Sequence, residues 1–460
     1  MAAPQKWYEG ISRYQWLVLI IASLGWVFDV FEGQIFVAAM RDAVPEMLGL
    51  GADHPEVRRW NDWGFGLFAL GGAIGGIGFG ILSDRIGRAR TLVVTILFYS
   101  VFTLMQAFVQ SPVQLMVLRF FVALGTGGEW AVAAAMVAEV MPKRSRPAMG
   151  SIFHASSVFG TLIAAAVGAL VIANPALGWR WGFAVGILPA LLCVWIRLKL
   201  REPDKAVKAR AEASKAPVGR LTDLFNSANL RNTVIGTSMA CIGLVTFWGV
   251  HIYGKNALLR HAQSAVVAES ALVAPVVDAG TEAKAAFDAQ KKSLLAEPEN
   301  KARVKRAEMT SMALNTIGGG LGLVLFGWIS NKLGRRGAFI LYHAVGFLAA
   351  LVLFKFLLPS NPASWHLMLF LPVFGFFTLG MHAGYAVYFP ELFPTRLRGT
   401  GAGFCFNMGR LAMAAAFFGL GAYGLGLSPE GKALWLAPLY LLGVVVVLFA
   451  KETRGEELPE

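Results

Sequence analysis

Two carboxylates lie inside the first long apolar stretch of the chain, in the segment GWVFDVFEGQIF. Asp29 and Glu32 are three residues apart, so on a helix they point about 60° apart and both can face one cavity. A charge inside a bilayer costs a few kcal/mol and is normally found facing a bundle interior or water, beside a partner. The two acids predict a site that binds and releases protons, with a purely structural ion pair as the alternative.

Arg119, in the fourth apolar stretch, is the candidate partner of these acids. If the first helix runs outward and the fourth runs inward, Asp29 lies ~16 Å and Arg119 ~10 Å from the outer ends of their helices. A nearby arginine holds a carboxylate ionised, and separating the two in a low-dielectric medium favours protonation. We therefore expect a switchable pair of Asp29 and Arg119. For Glu129, nearer mid-depth on the same helix, a second proton relay and a helix–helix hydrogen bond both stay open.

The second half of the chain carries the opposite charge near the midplane. Arg410, in FCFNMGRLAMAAAFFG, lies ~15 Å from the end of its helix. A planar guanidinium suits a two-point grip on a substrate carboxylate, whereas pairing with an acid or with backbone carbonyls is the structural alternative. His382 is predicted either as a pH-sensitive substrate ligand or as a satisfied core histidine. Further predicted cavity-lining residues are Asn407, Tyr385, Trp248, Ser157 and His154.

Membrane-spanning helices must position these groups, because the chain is too apolar for a soluble globule. Of its 460 residues, 56% are hydrophobic and 15% are charged, and the mean hydropathy is +0.58. A span needs about 20 apolar residues. Such stretches are predicted at 15–40, 62–83, 91–110, 112–139, 148–174, 179–199, 232–254, 309–330, 338–358, 365–390, 399–424 and 431–450.

The sequence also argues against several other classes of protein. It shows no catalytic triad, metal-ligand cluster or phosphate loop, so we predict no enzyme, no catalytic residue, no cofactor and no metal site. The net charge of +13 follows from an excess of Lys and Arg in the loops of one side and from anionic lipid headgroups, without a nucleic-acid partner. That excess predicts a multi-pass protein of the inner membrane with both termini in the cytoplasm.

The chain repeats itself. The matching pairs are GILSDRIGRAR at 80–90 with GWISNKLGRRG at 327–337, and AEVMPKRSRPAMG at 138–150 with PELFPTRLRGTGAG at 390–403. The repeat predicts two six-helix bundles and a linker, at residues 1–200, 231–460 and 201–230. Transporters use such a duplication because rocking two similar bundles exposes a central site to either side in turn.

On these motifs the sequence resembles the major facilitator superfamily of transporters over nearly its whole length. It is most similar to the sugar-porter-related branch that includes aromatic-acid and sialate proton symporters. The residues that carry the resemblance are Gly80, Asp84, Arg85, Gly87 and Arg88; Arg119, Gly125, Gly127, Gly128 and Glu129; the boxes Glu139, Pro142, Arg146 and Glu391, Pro394, Arg398; and KETRG at 451–455. The resemblance implies an all-α membrane protein with twelve transmembrane helices in two pseudo-symmetric six-helix bundles, usually a monomer.

The resemblance also implies roles for charged residues. In the related symporters an acid on helix one and an arginine on helix four form a couple, so Asp29 takes the proton and Arg119 releases it. Two acids at the spacing of Asp29 and Glu32 also occur in the aromatic-acid symporters. A cytoplasmic gate is expected, in which Asp84 latches helix two to helix eleven and the Glu of each box clasps its own Arg. The predicted gate residues are Asp84, Arg85, Arg88, Glu139, Arg146, Glu391 and Arg398.

Departures from the family pattern narrow the function. Asn331 stands in the second loop motif where Asp84 stands in the first, so the latch is expected to be asymmetric. The seventh span lacks the paired glutamines that bind sugar hydroxyls, which argues against a hexose. The extra segment at about 255–308, extracytoplasmic by topology, is predicted as a surface helical hairpin or partly disordered insert. A cap over the outer mouth and a partner-docking element are the alternatives.

The sequence thus predicts a secondary transporter that imports a small organic anion, such as an aromatic acid, sialate or a monocarboxylate, together with protons. Its predicted partners are that substrate, protons and the lipid bilayer, and a monomer is expected. The alternatives are a proton-coupled porter of a neutral sugar or polyol, an exporter, and a transporter-like sensor without turnover. The substrate is not identified, because the cavity-lining residues come from several helices.

Overall fold

The computed structural model describes residues 7–51, 54–172, 174, 176–212, 218–270, 272, 281–422 and 428–460. Within these ranges the regular structure is helical throughout. Nine of the described helices are long and apolar enough to cross a membrane, and the 60-residue run Pro298–Leu357 has room for two crossings. An apolar helix satisfies its own backbone hydrogen bonds, which is why helices form where the chain is predicted to meet lipid.

Twelve spans are numbered here in chain order. The first half contains α1 (Arg13–Leu48), α2 (Pro55–Ile86), α3 (Arg88–Gln106), α4 (Pro112–Val140), α5 (Arg146–Ile172) and α6 (Gly178–Val185 with Ala190–Lys199). The second half contains α7 (Leu230–Lys255), α8 (298–333), α9 (335–357), α10 (Ser364–Leu392), α11 (Arg398–Ala422) and α12 (Pro429–Leu436 with Pro438–Leu448). Each span overlaps a predicted one, and the predicted fold class is confirmed.

The turn between α2 and α3 and the turn between α8 and α9 have the same construction. Gly87 (φ 113°) and Gly334 (φ 81°) each adopt a positive φ that glycine tolerates. Glu202 accepts hydrogen bonds from backbone N–H groups at the start of α3 (2.8 and 2.9 Å), and Glu452 does the same at the start of α9 (2.9 and 3.1 Å). Each carboxylate caps a helix N-terminus. The repeat in the sequence is therefore also a repeat in structure.

The described residues between α7 and α8 are mostly helical, a form that the predicted helical hairpin includes. They form the helices Ala257–Glu269 and Thr281–Ala296, and α8 begins at Pro298, earlier than predicted. Arg260 in the first insert helix pairs with Glu430 at the start of α12. This helix is therefore tied to the second half of the molecule.

The two halves approach closely along α2 and α11, where glycines replace side chains. A Cβ on Gly80 would lie 2.7 Å from the carbonyl oxygen of Gly399, and a Cβ on Gly403 would lie 2.6 Å from that of Gly76. Small residues at such positions let helix backbones pack directly against each other. As a result, side chains of α11 that point toward α2 have fixed neighbours.

The chain from Trp7 and the C-terminal segment lie at one end of the bundle, which is called the termini end below. Trp7, ahead of α1, packs edge-on against Trp328 of α8 with ring centroids 5.3 Å apart. Pro459, after α12, accepts a hydrogen bond from the backbone N–H of Thr395 (3.2 Å), just before α11. The N-terminal segment therefore touches the second half, at the same end where the C-terminal segment folds back.

At the opposite end, α1 is fastened to α6. Glu46, near the last turn of α1, accepts hydrogen bonds from the indole N–H of Trp179 and from Arg180, both at 2.7 Å. The Trp179 bond and the Arg180 charge hold the pKa of Glu46 below its usual value. This contact joins two helices of the same half.

Candidate functional site

The deeply placed charges of the two halves face each other at the level of Asp29 on α1. Its side chain is 4% exposed, and the cation that acts on it is Arg410 of α11. The hydroxyl of Thr126 on α4 also faces this carboxylate. Asp29 Oδ2 and Arg410 Nη1 each lack a hydrogen-bond partner in the described part of the chain. The two charges therefore attract each other with polar atoms still available to a third group.

Arg119 lies beside Glu32 and not, as the sequence suggested, beside Asp29. Its guanidinium donates hydrogen bonds to the backbone carbonyl oxygens of Glu32 and the next residue, both at 3.1 Å. It also lies over the rings of Phe36 and Phe68, 4.2 and 3.9 Å from their centroids. Glu32 is the acid whose charge acts on it. Glu32 and Asp29, at successive depths of α1, thus each lie near a different arginine.

Arg410 is positioned at the boundary between the halves. A Cβ on Gly72 of α2 would lie 2.6 Å from Arg410 Nη1, so a glycine leaves room for the guanidinium. The guanidinium lies 5.4 Å from the ring centroid of Phe406, one turn earlier on α11. Asn407 donates to the carbonyl oxygen of Gly403 (2.8 Å), and its Oδ1 has no partner among the described residues. The interface therefore presents a cationic donor and an amide acceptor.

An aromatic cluster lies on the termini side of Arg410. The rings of Trp130 on α4 and Phe406 on α11 stack with centroids 4.0 Å apart. Tyr385 and Phe389 of α10 stack at 5.1 Å, and Phe389 meets Trp130 edge-on at 6.5 Å. Because these rings come from both halves, they form one apolar wall across the central interface.

The two predicted histidines differ in how they are partnered. Nδ1 of His154 on α5 accepts a hydrogen bond from the indole N–H of Trp130 (3.0 Å). His382 on α10 contacts the carbonyl oxygen of Leu379 through Nδ1 (3.0 Å), and its Nε2 has no partner in the described part of the chain. His154 thus fits a core histidine, whereas His382 keeps one ring nitrogen available.

Two further predicted cavity residues, Tyr385 and Trp248, differ in how deeply they are buried. Tyr385 is fully buried and donates its hydroxyl to the carbonyl oxygen of Met239 (3.1 Å). Trp248 is 37% exposed and packs edge-on against Phe247. Tyr385 therefore contributes a ring face to the aromatic wall, and Trp248 lies away from the most deeply buried part of the site.

Glu129 is fully buried where α1, α3 and α4 meet. A Cβ on Gly25 of α1 would overlap Glu129 Oε1, and the hydroxyl of Tyr99 on α3 faces the carboxylate. The charge of Asp29 also acts on Glu129. Neither carboxylate oxygen has a hydrogen bond of ordinary length within the described residues. Glu32, Asp29 and Glu129 thus form a column of acids that runs toward the termini end.

A buried ion-pair network closes the termini end between the halves. Asp84, at the end of α2, accepts hydrogen bonds from two backbone N–H groups in the first turn of α11 (3.1 and 2.8 Å). Arg88 pairs with Asp84 (2.5 Å) and Glu139 (2.9 Å). Arg398 of the second half reaches the same Glu139 at 2.8 Å. The Asp84 latch therefore joins α2 to α11, as the resemblance implied.

The clasp predicted inside each Glu–Pro–Arg box does not form. Instead, Nε of Arg146 donates to the carbonyl oxygen of Ala138 (2.9 Å), and Nε of Arg398 donates to that of Pro390 (3.0 Å). Each arginine starts a helix and satisfies a carbonyl near the end of the preceding one, where no intrahelical partner exists. The glutamates are thereby left to pair with arginines outside their own boxes.

The other gate residues also have partners that the sequence did not suggest. Glu391 pairs with Arg335 at the start of α9 (2.7 Å), and Thr453 donates its hydroxyl to the same carboxylate (2.5 Å). Arg85 contacts the carbonyl oxygen of Gly219 in the linker (3.5 Å). The gate is thus built from the turns, the linker and the C-terminal segment as well as from the two boxes.

Sequence reasoning missed the contribution of α3. Tyr99 and Thr103 lie one turn apart on this helix, and their hydroxyls face Glu129 and Glu32. The available signal was a pair of hydroxyls four residues apart in an apolar helix, which places them on one face. That signal is weak beside the charges of α1 and α4, because hydroxyl side chains also occur at ordinary helix contacts.

Comparisons with known proteins agree with this architecture. The family model of the Major Facilitator Superfamily matches residues 33–275, and the model of the Sugar (and other) transporter family matches residues 300–460. A probable 4-methylmuconolactone transporter of Cupriavidus pinatubonensis is 30% identical over 98% of this chain and 93% of its own. The cis,cis-muconate transport protein of Acinetobacter baylyi is 30% identical over 85% of each chain.

The fold has a counterpart among solved structures. The proton:xylose symporter XylE superposes with a TM-score of 0.69 at 17% identity, and the match covers 97% of this chain and 98% of that chain. This likeness concerns the fold. Together with the family match and the 30% identity to relatives along the chain, it shows that the protein is a multi-pass membrane transporter that belongs to the major facilitator superfamily.

Proposed function

We propose that the protein takes up a small organic anion together with protons, by alternating access. The observation that carries this proposal is Arg410, a half-buried cation at the junction of the halves whose Nη1 atom is buried and unpartnered among the described residues. A planar guanidinium binds a carboxylate through two parallel N–H groups. A substrate carboxylate that enters between the halves therefore has a fitting anchor, with Asn407 and His382 as neighbouring polar contacts.

Coupling follows because Arg410 serves two carboxylates in turn. Without substrate, the positive charge of Arg410 favours the ionised form of Asp29 over the protonated form and so opposes the effect of burial. When a substrate carboxylate occupies the guanidinium, Asp29 loses its counter-charge, and a buried carboxylate without a counter-charge binds a proton. Substrate and proton then cross together, because closing the site around a buried charge that has no counter-charge would cost much more. The carboxylates of Glu32, which lies beside Arg119, and of Glu129 supply the other proton-binding groups.

The aromatic wall beside Arg410 favours a planar substrate. The rings of Trp130, Tyr385, Phe389 and Phe406 are buried against one another in this conformation, and rings that become accessible when the halves part stabilise another flat π system in stacked or edge-on geometry. An aromatic acid or an unsaturated carboxylate fits both the wall and the cation. The names of two relatives, a muconate transport protein and a probable methylmuconolactone transporter, point to the same chemistry. A neutral sugar would leave Arg410 without a second carboxylate to bind.

The positive charge of the loops supports an orientation for the transporter. Lys and Arg accumulate at the termini end, and such loops stay in the cytoplasm. The closed network of Asp84, Arg88, Glu139 and Arg398 then makes the conformation described here the outward-facing one. We place the protein in the inner membrane, as a monomer, with both termini in the cytoplasm.

Uptake by the purified protein in proteoliposomes tests this function. The compounds are cis,cis-muconate, 4-methylmuconolactone, benzoate, sialate and xylose, each with and without an inward proton gradient. We expect the gradient to drive accumulation of at least one carboxylate, and Asp29→Asn to abolish accumulation while exchange at equal pH continues. Gradient-driven uptake of xylose alone, insensitive to Arg410→Ala, would contradict the anion proposal and favour the neutral-substrate porter.

A further inference from the structure

A phenol lies among the three acids of the first half. Tyr99 of α3 is fully buried, and its hydroxyl has no hydrogen-bond partner of ordinary length in the described part of the chain. The charges that act on it are those of Glu129, Glu32 and Asp29, and the thiol of Cys193 on α6 is the other titratable group that faces it. A fully buried hydroxyl without a partner costs stability, so its position calls for a functional explanation.

Helix packing fixes the position of this phenol. A Cβ on Gly125 of α4 would lie 2.9 Å from Tyr99 Cβ and 3.0 Å from its backbone nitrogen, so α3 and α4 are in close contact at this point. Glu129 lies one turn further along α4 and is wedged against Gly25 of α1. Gly25 is one helical turn, about 6 Å, from Asp29. The phenol is therefore held beside Glu129, at the contact of α4 with α1 and within reach of the charge of Asp29.

A second hydroxyl continues the same face of α3. Thr103 is one turn beyond Tyr99, and its hydroxyl faces Glu32. A Cβ on Gly186 would overlap the Thr103 methyl group and lie 3.0 Å from Glu32 Oε1, so both groups border the same small space. Hydroxyls of α3 thus accompany the acids from the level of Glu32 to the level of Glu129.

We propose that Tyr99 relays the coupled proton between Asp29 and Glu129, and that Glu129 is the last proton-binding group before the termini end. In this step the phenol oxygen accepts the proton of the Asp29 carboxylic acid while the phenol gives its own proton to the Glu129 carboxylate. Tyr99 is neutral before and after, and the charge of one carboxylate has moved to the other. The relay rests on the proposed proton symport. It adds the route that the proton takes from Asp29 toward the termini end.

Tyr99→Phe removes the hydroxyl and keeps the ring, and Tyr440→Phe is the matched control. Tyr440 of α12 is also fully buried with an unpartnered hydroxyl among the described residues, but it lies in the second half next to His343. The full-length protein is reconstituted, and cis,cis-muconate exchange at equal pH is compared with proton influx under a pH gradient. We expect exchange within about twofold of wild type in both variants, and proton-coupled uptake reduced about tenfold or more in Tyr99→Phe alone.

Glu129→Gln provides a second, independent test, because it removes the proposed acceptor and leaves Tyr99 in place. As for Tyr99→Phe, we expect exchange at equal pH to be retained and proton-coupled uptake to be lost. Wild-type coupling in Tyr99→Phe, or a loss of exchange equal to the loss of coupled uptake, would overturn the relay while symport itself stands. If the wild-type protein moves no protons with its substrate, the proposed function fails and the relay fails with it.

Discussion

At the scale of single residues, a substitution that changes the shape of the cation at position 410 but keeps its charge distinguishes substrate binding from proton coupling. Arg410→Lys keeps a positive charge that faces Asp29 but loses the planar pair of donors. We expect KM for cis,cis-muconate to rise about 10- to 100-fold, equivalent to about 1.5–3 kcal/mol for a charged hydrogen bond. The number of protons carried per substrate should stay the same. Initial uptake rates and dye-reported proton influx in proteoliposomes measure both quantities.

Arg119→Lys is the informative comparison for this prediction. Arg119 also lies beside an acid, but it is fully buried and its hydrogen bonds go to backbone carbonyl oxygens of α1. A lysine at this position loses the rigid planar fork that serves both acceptors, and we expect this loss to cost about 1–3 kcal/mol. We therefore expect earlier thermal unfolding, with KM changed less than about threefold. An equal rise of KM in both variants would contradict the assignment of Arg410 as the carboxylate anchor.

The depth of the charged residues along their helices could be predicted from the sequence, but which acid lies beside which arginine could not. Counting residues along a helix placed Asp29, Glu32 and Arg119 within one turn of each other, because the helical rise is fixed. Which acid the arginine faces depends on the rotation of α1 against α4, and a difference of one turn exchanges Asp29 for Glu32. Arg410 faces Asp29 only because the two halves meet, which residue counting along a single helix does not reveal.

At the scale of elements, α2 acts as the surface that positions Arg410. Gly72→Ala places a methyl group 2.6 Å from Arg410 Nη1, so the end of that side chain must move. We expect KM to rise about tenfold, since a 1 Å misplacement of a binding group has effects of that order or more. Gly78→Ala is the control on the same helix, because its Cβ meets nothing within 4 Å. Uptake by Gly78→Ala should match wild type, and a matching loss in both variants would implicate the helix as a whole.

The helices themselves were predictable from apolar length, whereas their ends and interruptions were not. α8 starts at Pro298, because the helical propensity of the preceding Ala-, Lys- and Glu-rich residues extends the span beyond its apolar part. α3 was missed as part of the site because Tyr99 and Thr103 become notable only once α4 brings Glu129 beside them. A helix face gains its chemistry from the partner packed against it.

At the scale of the whole molecule, the internal repeat predicted the halves but not the connections between them. Each box was expected to close on itself, since sequence similarity shows only equivalent positions. In the structure, Glu139 pairs with Arg88 of its own half and also with Arg398 of the second half, while Glu391 pairs with Arg335 inside its own half. The asymmetry signalled by Asn331 in place of an aspartate is in line with this difference.

The ion pair that joins the halves at the termini end predicts how a mutation shifts the balance between the outward-facing and inward-facing states. Glu139 pairs with Arg88 of its own half (2.9 Å) and joins the halves through Arg398 (2.8 Å), and all three side chains are buried. Glu139→Gln leaves both arginines undercompensated, which costs about 3–5 kcal/mol for a buried pair, so spin-label distances across this end should lengthen. Lys143→Gln breaks only the exposed Lys143–Glu457 pair at the same gate (3.5 Å), worth about 0–1 kcal/mol, and should leave the distances unchanged. Wild-type distances in Glu139→Gln would mean that backbone packing of α2 on α11, and not the buried charges, keeps this end closed.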